Sequence, residues 1–255
     1  ASIPMKSSGM ISVIMTCHNE EAYIAQAVSS VLDQTAFGRV CEVLIVNDGS
    51  TDRSGAILEK LVSENSKLRV LTAPGVGPSA ARNLAIAEAK GEFIAILDGD
   101  DVWAPEKLER QLPVIESDSR IGLVYGDFLD FSRDDMSDAT LFQVRRYSVG
   151  DPSLLGSFFV RGGPIIPSST IYRKEVFRRA GLFNTELRLA EDSEMALRIA
   201  RDWSFQHVPG EHVFKRRHGG NASKNLERWD AAAERVSELM IARAPELARL
   251  RGKRV

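Results

Sequence analysis

The stretch FIAILDGDDVW, residues 93–103, runs five mostly apolar residues straight into Asp98, Gly99, Asp100 and Asp101. A short, continuous apolar run of this kind suits a strand buried on both faces. Its end is the puzzle. Two carboxylates about 5 Å apart at an effective dielectric of about 20 repel by roughly 3 kcal/mol. A surface turn would let them splay into water, so the cluster has meaning only if the rest of the chain supplies a reason to hold it together.

Working outward, the same pattern recurs. ISVIMT (11–16), CEVLIVND (41–48) and LRVLTA (68–73) are strand-like, and each precedes an amphipathic stretch: EAYIAQAVSSVLDQ, DRSGAILEKLVSEN and SAARNLAIAEAK. PEKLERQLPVIESD follows the opening stretch in the same way. Apolar strands alternating with helices predict an α/β fold, a mostly parallel central sheet with helices on both faces. IGLVYGDFLDF (121–131) reads as a further strand. After it, residues 132–152 are polar and aperiodic, which predicts a functional or mobile loop. SSTIYR (168–173) returns to strand character and EDSEMALRIARDW (191–203) reads as a helix. HVPGEHVFKRRH (207–218) reads as a short hairpin or extended pair. Leu226, Trp229, Ala233, Val236 and Met240 form one helical stripe that predicts a C-terminal helix packed on the body.

Composition narrows the function classes. Hydrophobic residues make up 44% of the 255-residue chain and charged residues 27%, as in ordinary globular proteins. A formal net charge of -2 argues against a nucleic-acid binder. The exception is the C-terminus, where Arg243, Arg249, Arg251, Lys253 and Arg254 face only Glu246. Those charges read as a solvated helix end, with peripheral attraction to an anionic membrane surface as the alternative. Cys17 and Cys41 sit in strand-like runs and are expected as buried thiols in a reducing, cytoplasmic setting. No apolar run approaches the about eighteen residues needed to cross a bilayer.

In an open parallel sheet, ligands bind beyond the carboxyl ends of the strands. Those ends here carry Thr16-Cys17-His18-Asn19-Glu20, Asn47-Asp48-Gly49-Ser50, the Gly75-Val76-Gly77-Pro78 turn leading to Arg82, and the acidic turn at Asp98. Gly75-x-Gly77-x-x-Ala80 superficially matches a dinucleotide fingerprint. It follows the third strand, however, and Pro78 suits an ordinary first helical turn. Asp48 through Asp52 could serve simply as a turn and helix cap.

Four segments together resemble the family 2 glycosyltransferases and their GT-A fold: SVIMTCHNEEAYIAQAVSSVLDQT, EVLIVNDGSTD, GPSAARNLAIAEAKGEFIAILDGDDVW and LFNTELRLAEDSEMALRIA. The resemblance spans roughly residues 11–220. It implies an inverting enzyme that moves a sugar from a UDP-sugar to a hydroxyl of a saccharide or lipid-linked acceptor, in bacterial surface or exopolysaccharide synthesis. It implies a catalytic domain over 1–225, with a nucleotide-binding half near 10–131 and an acceptor half near 132–225, followed by a basic amphipathic helix over 226–255. The implied cofactor is a divalent cation, Mn²⁺ or Mg²⁺, on Asp100, with His218 on the metal or the diphosphate. Asp98 is expected at the ribose or a metal-bound water, Gly99 as the tight turn between the acids, and Asp101 as a capping or supporting group. Asp48 is expected to read the base, although Asn47 departs from the usual aspartate before it. Thr16 and Glu20 are expected along the nucleoside, and Arg82 on Asp48, the base or a phosphate. His18 stands where tyrosine is usual and either stacks on the base or is a plain strand-end histidine. Asp192 is the implied general base. The alternatives are a non-catalytic nucleotide-binding protein of the same fold and a nucleotidyltransferase. The latter would want a glycine-rich basic loop after the first strand, and TCHNEEAY has none.

Overall fold

The computed structural model describes residues 9–149, 154–161, 165–219 and 226–253. Strands β1 (Ile11–Cys17), β2 (Val40–Asp48), β3 (Leu68–Ala73) and β4 (Phe93–Asp98) run in the order β3-β2-β1-β4, all parallel. Helices α1 (Ile24–Leu32), α2 (Ser54–Glu64) and α3 (Pro78–Glu88) connect them. The chain steps from β1 to β2 to β3 and then returns past β1 to β4. Right-handed crossovers therefore place α1 and α2 on one face and α3 on the other. Covered on both sides, Val13, Ile14 and Met15 of β1 and Val43, Leu44, Ile45 and Val46 of β2 are wholly buried. That is why these strands lack a polar alternation.

The second half adds β5 (Val102–Trp103), α4 (Lys107–Ser117), β6 (Ile121–Phe131), β7 (Thr140–Phe142) and α5 (Leu154–Arg161). Then come β8 (Ile171–Arg173), α6 (Glu175–Ala180), α7 (Glu191–Ile199), β9 (Ser204–Arg216) and α8 (Leu226–Arg243). The sheet continues β4-β8-β6-β9-β5, with β7 on β6. Here β6 and β9 pair in parallel, while β4–β8, β6–β8, β5–β9 and β6–β7 are antiparallel. The α/β class holds throughout. All-parallel pairing is confined to the first half.

Several local expectations change. The Pro209-Gly210 pair does not turn a hairpin. β9 is one strand whose register against β6 slips there, pairing Gly126 with Val208 and Asp127 with Glu211. Such a bulge absorbs two residues without reversing the chain, and Gly210 takes a φ of +116° to do so. Residues 132–149 are not one loose loop: β7 pairs with β6, Phe142 stacks on Phe128 at 4.9 Å, and Val144 and Tyr147 are buried. Residues 150–152 lie outside the described residues. The 191–203 helix ends at Ile199, and Ser168 and Ser169 belong to a 3-10 turn before β8. Cys17 is buried, and burial followed by Glu20 pushes its thiol to about 12; Cys41 is only half-buried. Val236 and Met240 of the C-terminal stripe are buried, as expected, and the chain ends in 3-10 turns over Pro245–Lys253 rather than in continued helix. The side chain of Leu226 and residue Arg254 lie outside the described residues. Among the described residues no helix is long and apolar enough to cross a membrane.

Beneath β9 lies a buried polar cluster that the sequence did not announce. His207 Nε2 meets Asp127 Oδ1 at 2.9 Å, and both residues are buried. Lys107, wholly buried, places its ammonium 4.4 Å over the Trp103 ring and donates to Gln111 Oε1 at 2.7 Å. Burial holds its pKa well below the usual lysine range. His212 meets the carbonyl of Val208 through Nε2 at 3.0 Å, while Nδ1 has no partner. A Cβ on Gly126 would stand 2.0 Å from this ring, so only glycine fits opposite it.

Burial, and then Lys107, lower the pKa of His212 to about 4. The unfolded chain takes up that proton near the ordinary value, so stability falls as the pH drops from about 6.5 to about 4 and then levels off. The interval corresponds to about 3 kcal/mol. His212→Gln should flatten this part of the stability profile. Urea midpoints of both proteins across pH 4–7 check it, and parallel profiles would refute it.

Candidate active site

Strand β1 lies between β2 and β4, so the crossover direction reverses beside it; an α/β sheet opens a crevice at such a point. The strands stop level: Thr16 is in register with Asp98 on one side and Val46 on the other, and Cys17 with Asn47. Beyond these ends lies a cleft of about 1170 Å³. Thr16, His18, Glu20, Asp48, Arg82, Asp98, Asp100, Asp192 and His218 all line it. Side chains separated by up to 200 residues thus share one opening. Gly99 is not part of the lining and acts through its backbone.

The acidic turn is held from several sides. Gly99 N–H donates to the Thr16 carbonyl at 3.0 Å and Asp101 N–H to the Asp98 carbonyl at 3.1 Å. Gly99 does not need a left-handed φ, as a tight turn would suggest. It is required by close approach, because a Cβ there would lie 1.9 Å from Glu20 Oε2 and 2.7 Å from the Thr16 carbonyl. Asp98 receives Arg82 at 2.7 Å, and Asp100 meets His218 Nε2 at 2.8 Å. Asp101 caps no helix. Its buried carboxylate accepts from Ser168 Oγ at 2.6 Å and from the Arg216 amide at 3.0 Å, pinning the turn to β9.

Protonation relieves what remains of the repulsion. Burial, then Asp100, Asp98 and Asp101, push Glu20 to about 9, and its buried Oε2 has no partner. Glu20 therefore belongs to the acidic turn as much as to the nucleoside side of the cleft. Burial and Asp98 raise the pKa of Asp100, against the opposing pull of His218. Burial and the two neighbouring aspartates raise that of Asp101 well above the usual range.

Arg82 does not reach Asp48. Buried at 3% exposure, it bridges Asp98 and Glu191, the latter at 2.8 Å, with its guanidinium 5.6 Å over Phe183. Burial works against its charge, but the two carboxylates outweigh burial and raise its pKa. Its far partner opens α7, where Ala190 adopts φ +58°. That conformation costs a non-glycine residue roughly 1–2 kcal/mol and aims Glu191 and Asp192 into the cleft. Asp192 accepts from the Ser193 amide at 2.6 Å. Burial, then Glu191, lift its pKa to about 7.

Asp48 is already engaged. Its Oδ1 accepts the amides of Gly75 and Val76 at 2.9 and 2.7 Å, and its Oδ2 that of Gly77 at 2.7 Å. Gly75 and Gly77 both need positive φ to aim these amides, so the GxG here builds a nest around a protein carboxylate. Pro78 then sits in the first turn of α3. The exposed His18 ring donates through Nδ1 to the Asp48 carbonyl at 2.6 Å, which orients the ring at the cleft edge.

Other site residues escaped the sequence reading. Arg216 is 2% exposed and donates to the Asp100 carbonyl, Asp134 and Gln26, sandwiched between Tyr23 and Phe131 at 4.6 and 4.5 Å. It lies in the Lys-Arg-Arg-His run, where a charged string gives no hint of which member is buried. Glu191 carried no expectation of its own beside Asp192. Ser168 and Phe158 come from segments without a motif, Arg188 from the fourth quoted segment without an assigned role, and Trp229 from a stripe read as packing, yet Arg188, Phe158 and Trp229 line the same cleft.

A sheet switch point lined by an acidic turn, with a buried acid across the cleft, has the form of an active-site crevice. Residues 12–181 match the family described as glycosyl transferase family 2, and the chain belongs to it. Among its relatives are the glycosyltransferase EpsJ of Bacillus subtilis, 30% identical over 76% of this chain and 56% of that protein, and the chondroitin synthase of Pasteurella multocida, 27% identical over 86% and 22%. The chain spans about half the length of the curated relatives it matches first, between 41% and 56%. The crystal structure of S. aureus TarS 1-349 in complex with UDP-GlcNAc superposes with a TM-score of 0.71 at 20% identity, covering 91% of this chain and 66% of that one. That likeness confirms the GT-A architecture.

Gly99→Ala should perturb the site while leaving the core strands intact. Overpacking of this size costs about 1–3 kcal/mol, so the melting temperature should fall by several degrees. Thermal melts check it; an unchanged value would show that Glu20 and the Thr16 carbonyl make room freely.

Proposed function

We propose that the chain transfers a sugar from a UDP-sugar to a hydroxyl of a saccharide or lipid-linked acceptor, with inversion and with the help of a divalent cation. The observation that carries the reading is that Asp48, Asp100 and Asp192, far apart in sequence, open onto one cleft. The bound UDP-GlcNAc of the TarS structure supports a nucleotide-sugar donor, and the chondroitin synthase relative supports a role in polysaccharide synthesis.

The residues present fit a hard cation. The donor set is oxygen-rich and the Glu20 oxygen is orphaned; burial, then Asp98, raises the pKa of Asp100, and burial, then Asp100 and Asp98, that of Asp101. Among the described residues no group of three or more acids, histidines or cysteines could hold a metal ion by itself. Mg²⁺ or Mn²⁺ typically takes one or two carboxylates and leaves other positions to substrate phosphates. Asp100 would hold the ion, with His218 beside it on the metal or on the diphosphate. Bound there, the ion would neutralise charge on the departing diphosphate.

The chain's own residues account for the rest. Asp98, held by Arg82 at 2.7 Å, would orient the donor's ribose. Asp48, fixed by three amides, retains lone pairs that could accept from a base N–H, and His18 stands beside it. Asp192 lies in the same cleft with a pKa near 7 and would accept the acceptor hydroxyl's proton as that oxygen attacks the anomeric carbon. Attack opposite the leaving diphosphate inverts that carbon. A base poised near the working pH combines the right protonation state with useful driving force.

Asp192→Asn should leave UDP binding intact and lower transfer by 10²–10⁴-fold, the usual share of a general base. In the unsubstituted enzyme kcat should rise with pH through about 7, as Asp192 ionises. A coupled assay for UDP release checks both, and full transfer by the variant would remove Asp192 from the role. Asp100→Ala should abolish Mn²⁺-dependent UDP binding by calorimetry. Equal affinity with and without Mn²⁺ in the parent protein would refute the cation.

A further inference from the structure

A second cleft, of about 1130 Å³, lies outside the catalytic one and shares with it only the wall made by α5. Phe158 and Phe159 of that helix line the catalytic cleft, while Leu154, Leu155, Val160 and Arg161 line the second. Six arginines line the second cleft against two acids, Asp202 and Glu246, although the chain as a whole is slightly acidic.

Three of the six are already committed. Arg120 pairs with Asp118 at 2.6 Å, Arg173 with Glu92 at 3.4 Å, and Arg179 with Glu175 at 3.1 Å. The other three, Arg161, Arg201 and Arg249, form no ion pair with any described residue and are exposed. They come from three separate places: the end of α5, the turn after α7 and the C-terminal 3-10 segment. Three guanidinium groups from distant parts of the chain thus line one cleft without an internal counter-charge, and a guanidinium fork matches phosphate oxygens.

The remainder of the lining decides what kind of anion. Leu155, Val160, Trp203 and Leu250 stand among the arginines, and all four are only partly buried. Nucleic acid or a free polyphosphate has no use for that apolar surface, whereas the headgroup-to-acyl boundary of a bilayer presents phosphate and hydrocarbon side by side. The neighbouring C-terminal segment continues the positive charge with Arg243, Arg251 and Lys253. We propose that this cleft docks the protein on an anionic membrane surface by receiving a phospholipid phosphate between Arg161, Arg201 and Arg249, with Leu155 and Leu250 against the upper acyl chain.

Vesicle flotation tests the proposal with the full chain. The protein should float with phosphatidylglycerol vesicles and not with phosphatidylcholine vesicles. The triple variant Arg161→Gln, Arg201→Gln, Arg249→Gln should lose roughly a hundredfold in affinity, since each basic residue near such a surface contributes about fivefold. A second triple variant, Arg243→Gln, Arg251→Gln, Lys253→Gln, should lose less, because those residues lie outside the cleft lining. Unchanged thermal melts establish that each variant is folded. No flotation of the parent protein, or equal losses from the two triple variants, would overturn the docking cleft. So would saturable binding of inorganic phosphate at millimolar concentration without vesicle binding, which would make it a site for a free anion.

Discussion

Everything in the catalytic cleft depends on keeping four carboxyl groups together at the end of β4. Asp98, Asp100 and Asp101 come from the turn, and Glu20 presses against Gly99 from the end of β1. At roughly 3 kcal/mol per close pair, full ionisation would cost more than a short turn could hold. The structure distributes the charge. Arg82 neutralises Asp98, His218 faces Asp100, and Ser168 and the Arg216 amide satisfy Asp101. Glu20, with burial and three acids against it, keeps its proton. A cluster arranged this way is only partly neutralised by its protein partners, which is the property the proposed cation would exploit.

That arrangement also ties the two halves of the chain together. Arg82 leaves the nucleotide-side helix α3 and spans to Glu191, which opens α7 in the second half. Its guanidinium thus ties the acidic turn to the segment carrying Asp192. Replacing it by lysine would forfeit the fork, since an ammonium cannot present two parallel donors to carboxylates on opposite sides. Arg216 does the same from β9, gripping the Asp100 carbonyl while its own backbone amide holds Asp101. The proposed base and the proposed cation site are consequently positioned by shared arginines rather than by independent supports. The left-handed turn at Ala190 supplies the last correction in angle.

How much of this could be read from the sequence follows from which interactions are local. The four parallel strands and their helices were legible because each is specified by its own apolar run and period. The acidic turn and Asp48 were legible as neighbours because strand ends in such a sheet gather by topology, whereas Asp192 opens a helix and was pointed to by the family resemblance alone. Arg82 was placed at the same opening, but not its protein partners: nothing in ARNLAIAE shows that it reaches Asp98 and Glu191 rather than Asp48. Pro209-Gly210 looked like a turn and is a bulge, because a neighbouring strand, invisible locally, keeps β9 extended through it. Buried Lys107, His212 and Arg216 were illegible for one reason. Burial of a charged residue is decided by tertiary neighbours such as Trp103, Gly126 and Tyr23, and residue type argues against it.

The charge of the cleft bears on the proposed reaction in a way that individual residues do not. Glu20, Glu21, Asp48, Asp98, Asp100, Asp101, Glu191 and Asp192 line it, against Arg82, Arg188, Lys215 and the imidazoles of His18 and His218. Arg82 is consumed by two of those acids, and His218 stands against a third. A nucleoside diphosphate brings two or more negative charges of its own, so such a lining repels the donor at the end where the acids gather. Arg188 and Lys215 are too few to reverse that sign. On the proposed reading, a cation entering with the donor would offset that repulsion. A protein that bound UDP tightly here without any added cation would have to do so through Arg188 and Lys215, with Glu20 and Asp100 protonated. Its affinity would then weaken as rising pH ionised those acids, whereas affinity that depends on a cation held by carboxylates strengthens over the same range.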